Sequence, residues 1–434
     1  MVFPNQQVSA IRALALLVCV SVGQYPADAG TGCDTRANLR GSLGSEGQYF
    51  HEAPIVEGQY RYQETYNLEA ELDVNLPTCL DIRLHPRMRV DGRHPKANPL
   101  VMDDMFLGWH GTYFEGRAGY QVFSWKVVES YTQADILNQT DLRFDLLNPE
   151  KLAEPSLFLL LRLPESLGES LEGYLLPYFT PAPLPRDESR YNPAAGSPFR
   201  VKAETAELQY DSHRKRWEPQ GAIRYNFRPG MFNASLYYFQ GYSRFPSFVL
   251  SATDAGKLVP LYRLYHQGGV TFQGPMGNWL WKMESAYRRS VRPILNGLGT
   301  RVEPYWSVTA GLEYTFFSAL LQDQDLMALI ELLGDSDSGE DPARIDGFRP
   351  FQNDIFAGMR YVFNGLSDAS LTAGMYWDWK TDEIFYRLQF QTRVFTSFTV
   401  NGGYNGIRIK KGNDPQVRFL KNSSNGFLGL KYYW

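Results

Sequence analysis

Apolar and polar residues alternate with a period of two through most of the chain. In residues 66–76, Leu68, Ala70, Leu72, Val74 and Leu76 share one face, and Asn67, Glu69, Glu71, Asp73 and Asn75 the other. After Pro77-Thr78 the pattern resumes, with Leu84, Met88 and Val90 opposed to Arg83, His85, Arg87 and Arg89. Pro86 cannot donate to a ladder and predicts a bulge there. Residues 306–316 repeat the alternation, Trp306, Val308, Ala310, Leu312, Tyr314 and Phe316 against Ser307, Thr309, Gly311, Glu313 and Thr315. In residues 383–393, Ile384, Tyr386, Leu388 and Phe390 oppose Glu383, Arg387, Gln389, Gln391 and Arg393. This is the period of β-strands. Many runs reach about ten residues, where strands of soluble proteins average five or six. Aromatic residues gather at run ends, as in Tyr237-Tyr238-Phe239, Tyr376-Trp377-Asp378-Trp379 and Tyr432-Tyr433-Trp434. Long alternating strands bounded by aromatic girdles predict an all-β fold, a transmembrane antiparallel β-barrel of about 16–18 strands.

The connections orient such a barrel. Counting back from the last strand, segments 410–425, 336–352, 290–302, 244–258, 180–218, 128–155 and 91–100 are long or fall at the outer end. Segments 395–396, 364–368, 274–277, 228–230, 164–169 and 77–78 are short and fall at the periplasmic end. This requires that residues 201–210 form no full membrane strand. Both ends of the chain then lie in the periplasm and the strand number must be even. About 17 strands are countable, so either a first strand within residues 55–63 completes about 18, or one strand is counted twice and the number is about 16. Lipid offers no partner to an open sheet edge, so the last strand must pair with the first. Leu428, Leu430, Tyr432 and Trp434 form its lipid-facing side. Alternating apolar residues that end on Tyr432 and Trp434 resemble the sorting and assembly signal of bacterial outer-membrane barrels, which implies outer-membrane lipid and the barrel-assembly machinery as partners.

The remaining features concern export and charge. Arg12 precedes an apolar run over residues 13–23, followed by Ala27-Asp28-Ala29, the pattern of a cleaved secretory signal. The expected organisation is a signal peptide at 1–29, a periplasmic N-terminal segment at 30–54 and an outer-membrane barrel at 55–434. Beyond the signal no stretch approaches the ~18 to 20 apolar residues of a spanning helix. Cys19 leaves with the signal, and the remaining pair, Cys33 and Cys79, is expected to form a disulfide in an oxidising compartment. The topology puts Cys79 beside a periplasmic turn within reach of Cys33. A net charge of −4 over 434 residues gives no support for nucleic-acid binding.

A lumen this wide is lined by polar residues. Glu69, Glu71 and Asp73 are expected opposite Arg83, Arg87 and Arg89 across a hairpin, as ion pairs stiffening the wall or as a transverse field acting on solutes. Arg224, Lys282, Glu284, Arg288, Arg387 and Arg393 are further pore-lining candidates, with Arg228, Glu313, Glu331 and Arg360. Residues 128–155 carry Glu129, Asp135, Asp141 and Asp145, and a spacing of Ile136, Leu137, Leu142 and Phe144 that allows a short helix. Folded inward, this segment becomes an acidic constriction loop that favours cations. Folded outward, it is a solvated loop. Asp335, Asp337, Glu340 and Asp341 lack the spacing of a calcium loop. The six histidines have no partner at catalytic or metal-ligand spacing, so no enzyme activity, metal or cofactor is expected.

Gly119, Gln121 and Trp125, in a Gly-x-Gln-x-x-x-Trp arrangement, are followed by Asp135, Asn148 and Pro149, then two apolar runs and a Pro-rich segment at 181–185. This stretch resembles a family of proteobacterial outer-membrane porin-like proteins, as do residues 223–248 and 268–288. Lys126 departs from the pattern, which has a small residue after the tryptophan. The resemblance implies channel architecture and no particular substrate. The function expected is passive, selective diffusion of small hydrophilic or amphipathic solutes through a charged lumen. A structural or export-complex barrel docking a periplasmic partner is the alternative, and a barrel hydrolase a third reading.

Overall fold

The computed structural model describes residues 35–93, 100–145, 149–193, 195, 200–201, 208–251, 257–291, 304–319, 323–336, 349–365, 367–410 and 417–434. Eighteen strands close into one antiparallel ring. They are β1 (Arg36–Phe50), β2 (Tyr62–Asn75), β3 (Leu80–Asp91), β4 (Leu100–His110), β5 (Phe114–Gln121), β6 (Glu154–Arg162), β7 (Ser170–Leu176), β8 (Gln220–Phe227) and β9 (Asn233–Tyr242). The second half comprises β10 (Leu264–Met276), β11 (Trp279–Ser290), β12 (Tyr305–Phe316), β13 (Asp325–Asp335), β14 (Asn353–Val362), β15 (Ser370–Asp378), β16 (Ile384–Val394), β17 (Phe398–Arg408) and β18 (Asn425–Tyr433). Each pairs with its neighbours in sequence, and β1 pairs with both β2 and β18.

The closing strand is not the one expected. It lies at residues 36–50, within the segment assigned to the periplasm, and residues 55–63 instead form the first loop and the start of β2. The outer face of β1 carries Leu39, Leu43 and Tyr49, but Gly41, Ser45 and Gly47 sit between them, so the alternation is faint. Neighbouring rings fill those gaps. A Cβ on Gly41 would lie 2.1 Å from the Trp434 indole, and one on Gly47 3.1 Å from the Tyr62 hydroxyl. Trp434 also exchanges backbone hydrogen bonds with Gly41, at 3.1 and 3.3 Å, so the last residue extends the seam. A ring over a strand glycine restores the surface that the missing side chain leaves open.

The ruler of short and long connections holds. The eight connections at one end run from two residues (277–278) to eight (317–324). The long segments, 122–153, 177–219, 243–263, 336–352 and 409–424, all lie at the other end. Among the described residues of this stretch, Arg200–Val201 and Gln209–Tyr210 form two-residue strands of a small sheet separate from the 18-stranded ring. Pro86 marks a register shift between β3 and β4, as its missing N–H requires.

The outer surface is an apolar belt. Leu107, Leu157, Leu159, Ile223, Leu236, Ile330, Leu332, Leu388, Leu428 and Leu430 are all exposed. Trp109, Tyr113, Trp279, Phe316, Phe395, Phe398, Tyr432 and Trp434 ring it at the turn end, and Tyr49, Tyr66, Tyr238, Trp306, Trp377 and Trp379 at the loop end. The aromatic clusters of the sequence are split by the pleat. Trp377 and Trp379 face out, while Tyr376 turns into the bore, and Tyr238 faces out between the buried Tyr237 and Phe239. Charge on this belt should be costly. Leu159→Arg, at a position 57% exposed in mid-strand, is expected to lower stability by about 2–4 kcal/mol in urea unfolding from lipid vesicles. Thr372→Arg, on the lumen face, should change it by no more than about 0.5 kcal/mol.

Candidate functional site

Residues 122–153, between β5 and β6, fold into the barrel. Among its described residues there is no helix. Gln139–Asp141 pairs antiparallel with Glu150–Leu152, and Asn138 ties the base, its Nδ2 donating to the carbonyls of Gln121 and Leu152 at 2.8 and 2.9 Å while its Oδ1 accepts from the Phe123 amide at 2.7 Å. Asn148 lies outside the described residues.

Two wall carboxylates hold the loop by its backbone. Glu284 on β11 accepts from the amides of Val127, Val128 and Ala134 at 2.8, 3.4 and 3.3 Å, and from the Thr132 hydroxyl at 2.6 Å. Glu331 on β13 accepts from the amides of Glu129 and Ser130 at 2.8 and 2.7 Å. Both side chains are 1% exposed, and a buried carboxylate is tolerated only when donors surround it. Lys282, Gly311 and Glu331 occupy one row of the wall. Gly311 leaves room for the glutamate, since a Cβ there would lie 2.4 Å from Glu331 Cγ. Lys282 Nζ donates to Glu129 at 2.9 Å and to Glu313 at 2.6 Å.

The loop's apolar side packs on one half of the wall. Phe123, Trp125, Ala134, Ile136 and Leu137 bury against Phe158, Tyr174, Leu176, Tyr237, Phe239 and Tyr265. Trp125 Nε1 donates to the Tyr174 hydroxyl at 3.2 Å, and the Arg224 guanidinium lies 5.5 Å from the Trp125 ring. The lumen side of the wall at Arg224 is thus partly covered by the inner loop. At its far end the loop crosses to the opposite wall. Glu150 accepts from Arg87 and, at 2.8 Å, from Arg89. Asp145 pairs with Arg387 on β16, and Gln48 on β1 donates to the Phe144 carbonyl at 2.8 Å.

The loop's acids are consumed internally or by the wall. Asp135 pairs with Lys151, Asp141 with Arg143 at 2.7 Å, Asp145 with Arg387 and Glu129 with Lys282. The expected facing rows exist but are divided. Glu69 accepts from Lys431 and Ser42 at 2.7 and 2.9 Å, Glu71 from Arg40 at 3.1 Å and Asp73 from Arg83 at 2.7 Å. Arg87 and Arg89, nearer the loop end, take up Glu150 instead. Arg288 donates to Gln267 at 2.9 Å and lies 4.2 Å from the Tyr265 ring centroid. Arg393 does not join this group. It pairs with Asp368 at 3.0 Å at the turn-end rim. Cys79 is disulfide-bonded, while Cys33, the signal segment 1–29 and residues 337–346 of the acidic stretch lie outside the described residues. Among the described residues no cluster of His, Cys, Asp or Glu forms a metal site.

Two cavities meet at the loop. One, of about 360 Å³, is bounded by Glu129, Phe356, Arg360, Tyr376, Arg387 and Gln389. The other, of about 270 Å³, is bounded by Lys126, Lys151, Arg244, Arg288, Arg349 and Tyr376, with Glu129 and Asp135. Glu129 and Tyr376 belong to both. Between them Phe351 stacks on Tyr376 at 4.0 Å and meets Tyr131 at 5.8 Å. Arg244 and Arg349, set in loops with no neighbouring pattern, gave no signal of this role in the sequence, nor did Asn138, Tyr131 or Phe351.

No protein-family model and no curated protein matches the chain. Solved structures do. OccAB1 of Acinetobacter baumannii is 12% identical, with 95% of this chain and 99% of that one covered at a TM-score of 0.51. OpdO of Pseudomonas aeruginosa is also 12% identical, with 92% and 97% covered at 0.51. A BenF-like porin of Pseudomonas fluorescens Pf-5 is 9% identical, with 93% and 99% covered at 0.51. The chain therefore has the closed, 18-stranded transmembrane β-barrel fold of these porins.

Proposed function

We propose that the protein is a passive channel of the Gram-negative outer membrane for small solutes, constricted by residues 122–153 and favouring anions. One observation carries the selectivity. Lys126, Lys151, Arg244, Arg288, Arg349, Arg360 and Arg387 line the two cavities with Glu129 and Asp135. Lys151, Arg349 and Arg387 are paired with Asp135, Asp335 and Asp145, and among the described residues Lys126, Arg244 and Arg360 form no ion pair, which leaves the lining basic. Low-dielectric walls concentrate such a field on whatever passes. The acidity of the loop, read from its sequence as favouring cations, is cancelled by the ion pairs that dock it. Small anions and amphipathic acids fit this lining, with Phe356 and Tyr376 supplying apolar contact. The test is electrical. Purified protein in planar bilayers is expected to give discrete conductance steps with a reversal potential on the anion side. Lys126→Gln with Arg360→Gln should lower the anion-to-cation permeability ratio by about two- to fivefold, since a unit charge ~4 Å from an ion is worth about 1 kcal/mol in water. A folded protein that conducts nothing would overturn the reading.

The docked loop sets the width. Glu331→Ala leaves the buried amides of Glu129 and Ser130 without an acceptor, at about 1–3 kcal/mol each. Larger conductance steps and faster protease nicking within 122–153 are the expected result, and unchanged steps would count against the loop as constriction.

Its pH dependence follows from Glu129. Burial raises this carboxyl, but the hydrogen bond and charge of Lys282, with the charges of Lys126 and Arg360, outweigh that and hold it below its ordinary value. A group depressed in the folded state stabilises docking above the unfolded value of about 4.3 and loses that contribution as pH falls through the lower one. Conductance should stay level from about pH 7 to pH 5 and change only in stronger acid, and Glu129→Gln should remove that change.

A further inference from the structure

The channel reading leaves one strongly charged surface unused. His213, Arg214, Lys215 and Arg216 are consecutive and run into Trp217, in a chain whose net charge is negative. We infer that this segment is a docking site for the phosphorylated sugar headgroup of an outer-leaflet glycolipid of the lipid A class. The inference rests on the reading that the long loops face outward from the outer membrane.

The segment is built into the outer wall and not into the bore. It ends three residues before β8, and the Phe179 amide donates to the Arg216 carbonyl at 2.8 Å, which carries the pairing of β7 and β8 past its last regular register pair. The turn is held firmly. Ser212 Oγ accepts from the Arg214 amide at 3.1 Å and donates to Glu218 at 2.6 Å. The buried Tyr242 hydroxyl donates to the Lys215 carbonyl at 2.9 Å, with Lys215 at φ 53°. The adjoining acids are occupied elsewhere. Asp211 is buried and accepts from the Leu264 amide at 3.0 Å, and Glu218 is taken by Ser212. Among the described residues none of the four basic side chains forms an ion pair with a carboxylate, while Arg216 donates to the hydroxyls of Tyr210 and Tyr178 at 3.2 and 3.3 Å.

Location selects the partner. Trp217 is 71% exposed and set edge-on against Tyr178 at 4.9 Å. Below it the lipid-facing side continues through Leu175, Ile223 and Tyr238. At ~3.3 Å per residue and a strand tilt of about 35–45°, Arg216, seven residues from Ile223, stands roughly 16–19 Å above it, the level at which headgroup phosphates begin. An indole at the apolar boundary with guanidinium and ammonium groups immediately above it matches acyl chains that carry phosphates on a sugar. A soluble anion would use the charges but not the exposed ring.

The test uses the full-length protein in detergent micelles, with bis-phosphorylated hexa-acyl lipid A as probe and bound lipid counted by native mass spectrometry. Wild type is expected to retain lipid A, and to bind its dephosphorylated form at least tenfold more weakly. Arg214→Gln with Lys215→Asn, the latter chosen because asparagine accepts the positive φ, should weaken lipid A binding at least tenfold while heat-modifiable gel mobility shows an intact barrel. Trp217→Ala should weaken it and Trp217→Phe restore it. Equal binding by wild type and the double variant, equal binding of the two lipid forms, or displacement by inorganic phosphate would each overturn the proposal. Conductance recorded on the same preparations separates the two readings. Normal steps without lipid A binding sink this inference alone, and lipid binding without steps sinks the channel alone.

Discussion

The structure depends on a prohibition. Hydrocarbon gives a backbone N–H or C=O no partner, so a sheet in lipid survives only if it has no edge. The seventeen pairings between sequence neighbours leave two edges until β1 and β18 meet, and the registers from Ser42↔Tyr433 to Phe50↔Asn425 are that meeting. The seam is made by the two strands at the chain's ends, one of them poor in outward hydrophobic residues. What β1 lacks is supplied across the pairing, by the Trp434 indole over Gly41 and the Tyr62 ring over Gly47. Aromatic termini and glycine-rich strands are thus complementary parts of one joint.

Closure creates a second problem, an interior too wide to be filled by wall side chains. The inner loop answers it asymmetrically. Its hydrophobic side dries the half of the bore along β6 to β10, and its main chain is hung on Glu284 and Glu331. Acceptance of backbone amides by a carboxylate is indifferent to the loop's side chains, so this attachment fixes the path of residues 127–134 while leaving Lys126, Glu129 and Tyr131 to define the opening. The remaining space lies along β13 to β16 and beneath the loops.

Much of this was legible beforehand, and the failures have physical causes. Period-two alternation is written locally, so strands such as β12, β16 and β18 and the inward side of Lys282, Glu284 and Glu331 were readable from their own residues. The length of connections, also local, gave the orientation. β1 escaped because its outer face is completed by rings outside it, Tyr62 on the next strand and Trp434 at the other end of the barrel sequence. The aromatic clusters misled for the reason that alternation itself supplies, since adjacent Tyr376 and Trp377 must point to opposite sides. The spacing of Ile136, Leu137, Leu142 and Phe144 allows a helix, but Ile136 and Leu137 pack on one cluster of wall rings, Leu142 on another and Phe144 between Arg89 and Arg143, which rewards an extended path.

Charge was the hardest quantity to read, because its effect depends on pairing rather than number. The inner loop carries more acids than bases, and each acid is answered by a cation within a hydrogen bond's reach. Such a pair is nearly silent beyond a Debye length of about 8 Å. On the channel reading proposed above, a solute would meet the remainder, and along the two cavities Lys126, Arg244 and Arg360, without an ion pair among the described residues, make that remainder basic. The molecule's net charge of −4 is therefore no guide to its bore. Acids such as Glu69, Glu71 and Asp73 are spent on contacts in the wall, while Arg244, brought in by a loop, lines the second cavity. The charge of the bore is decided by which groups the inward fold leaves unpaired, and that is a property of the tertiary structure alone.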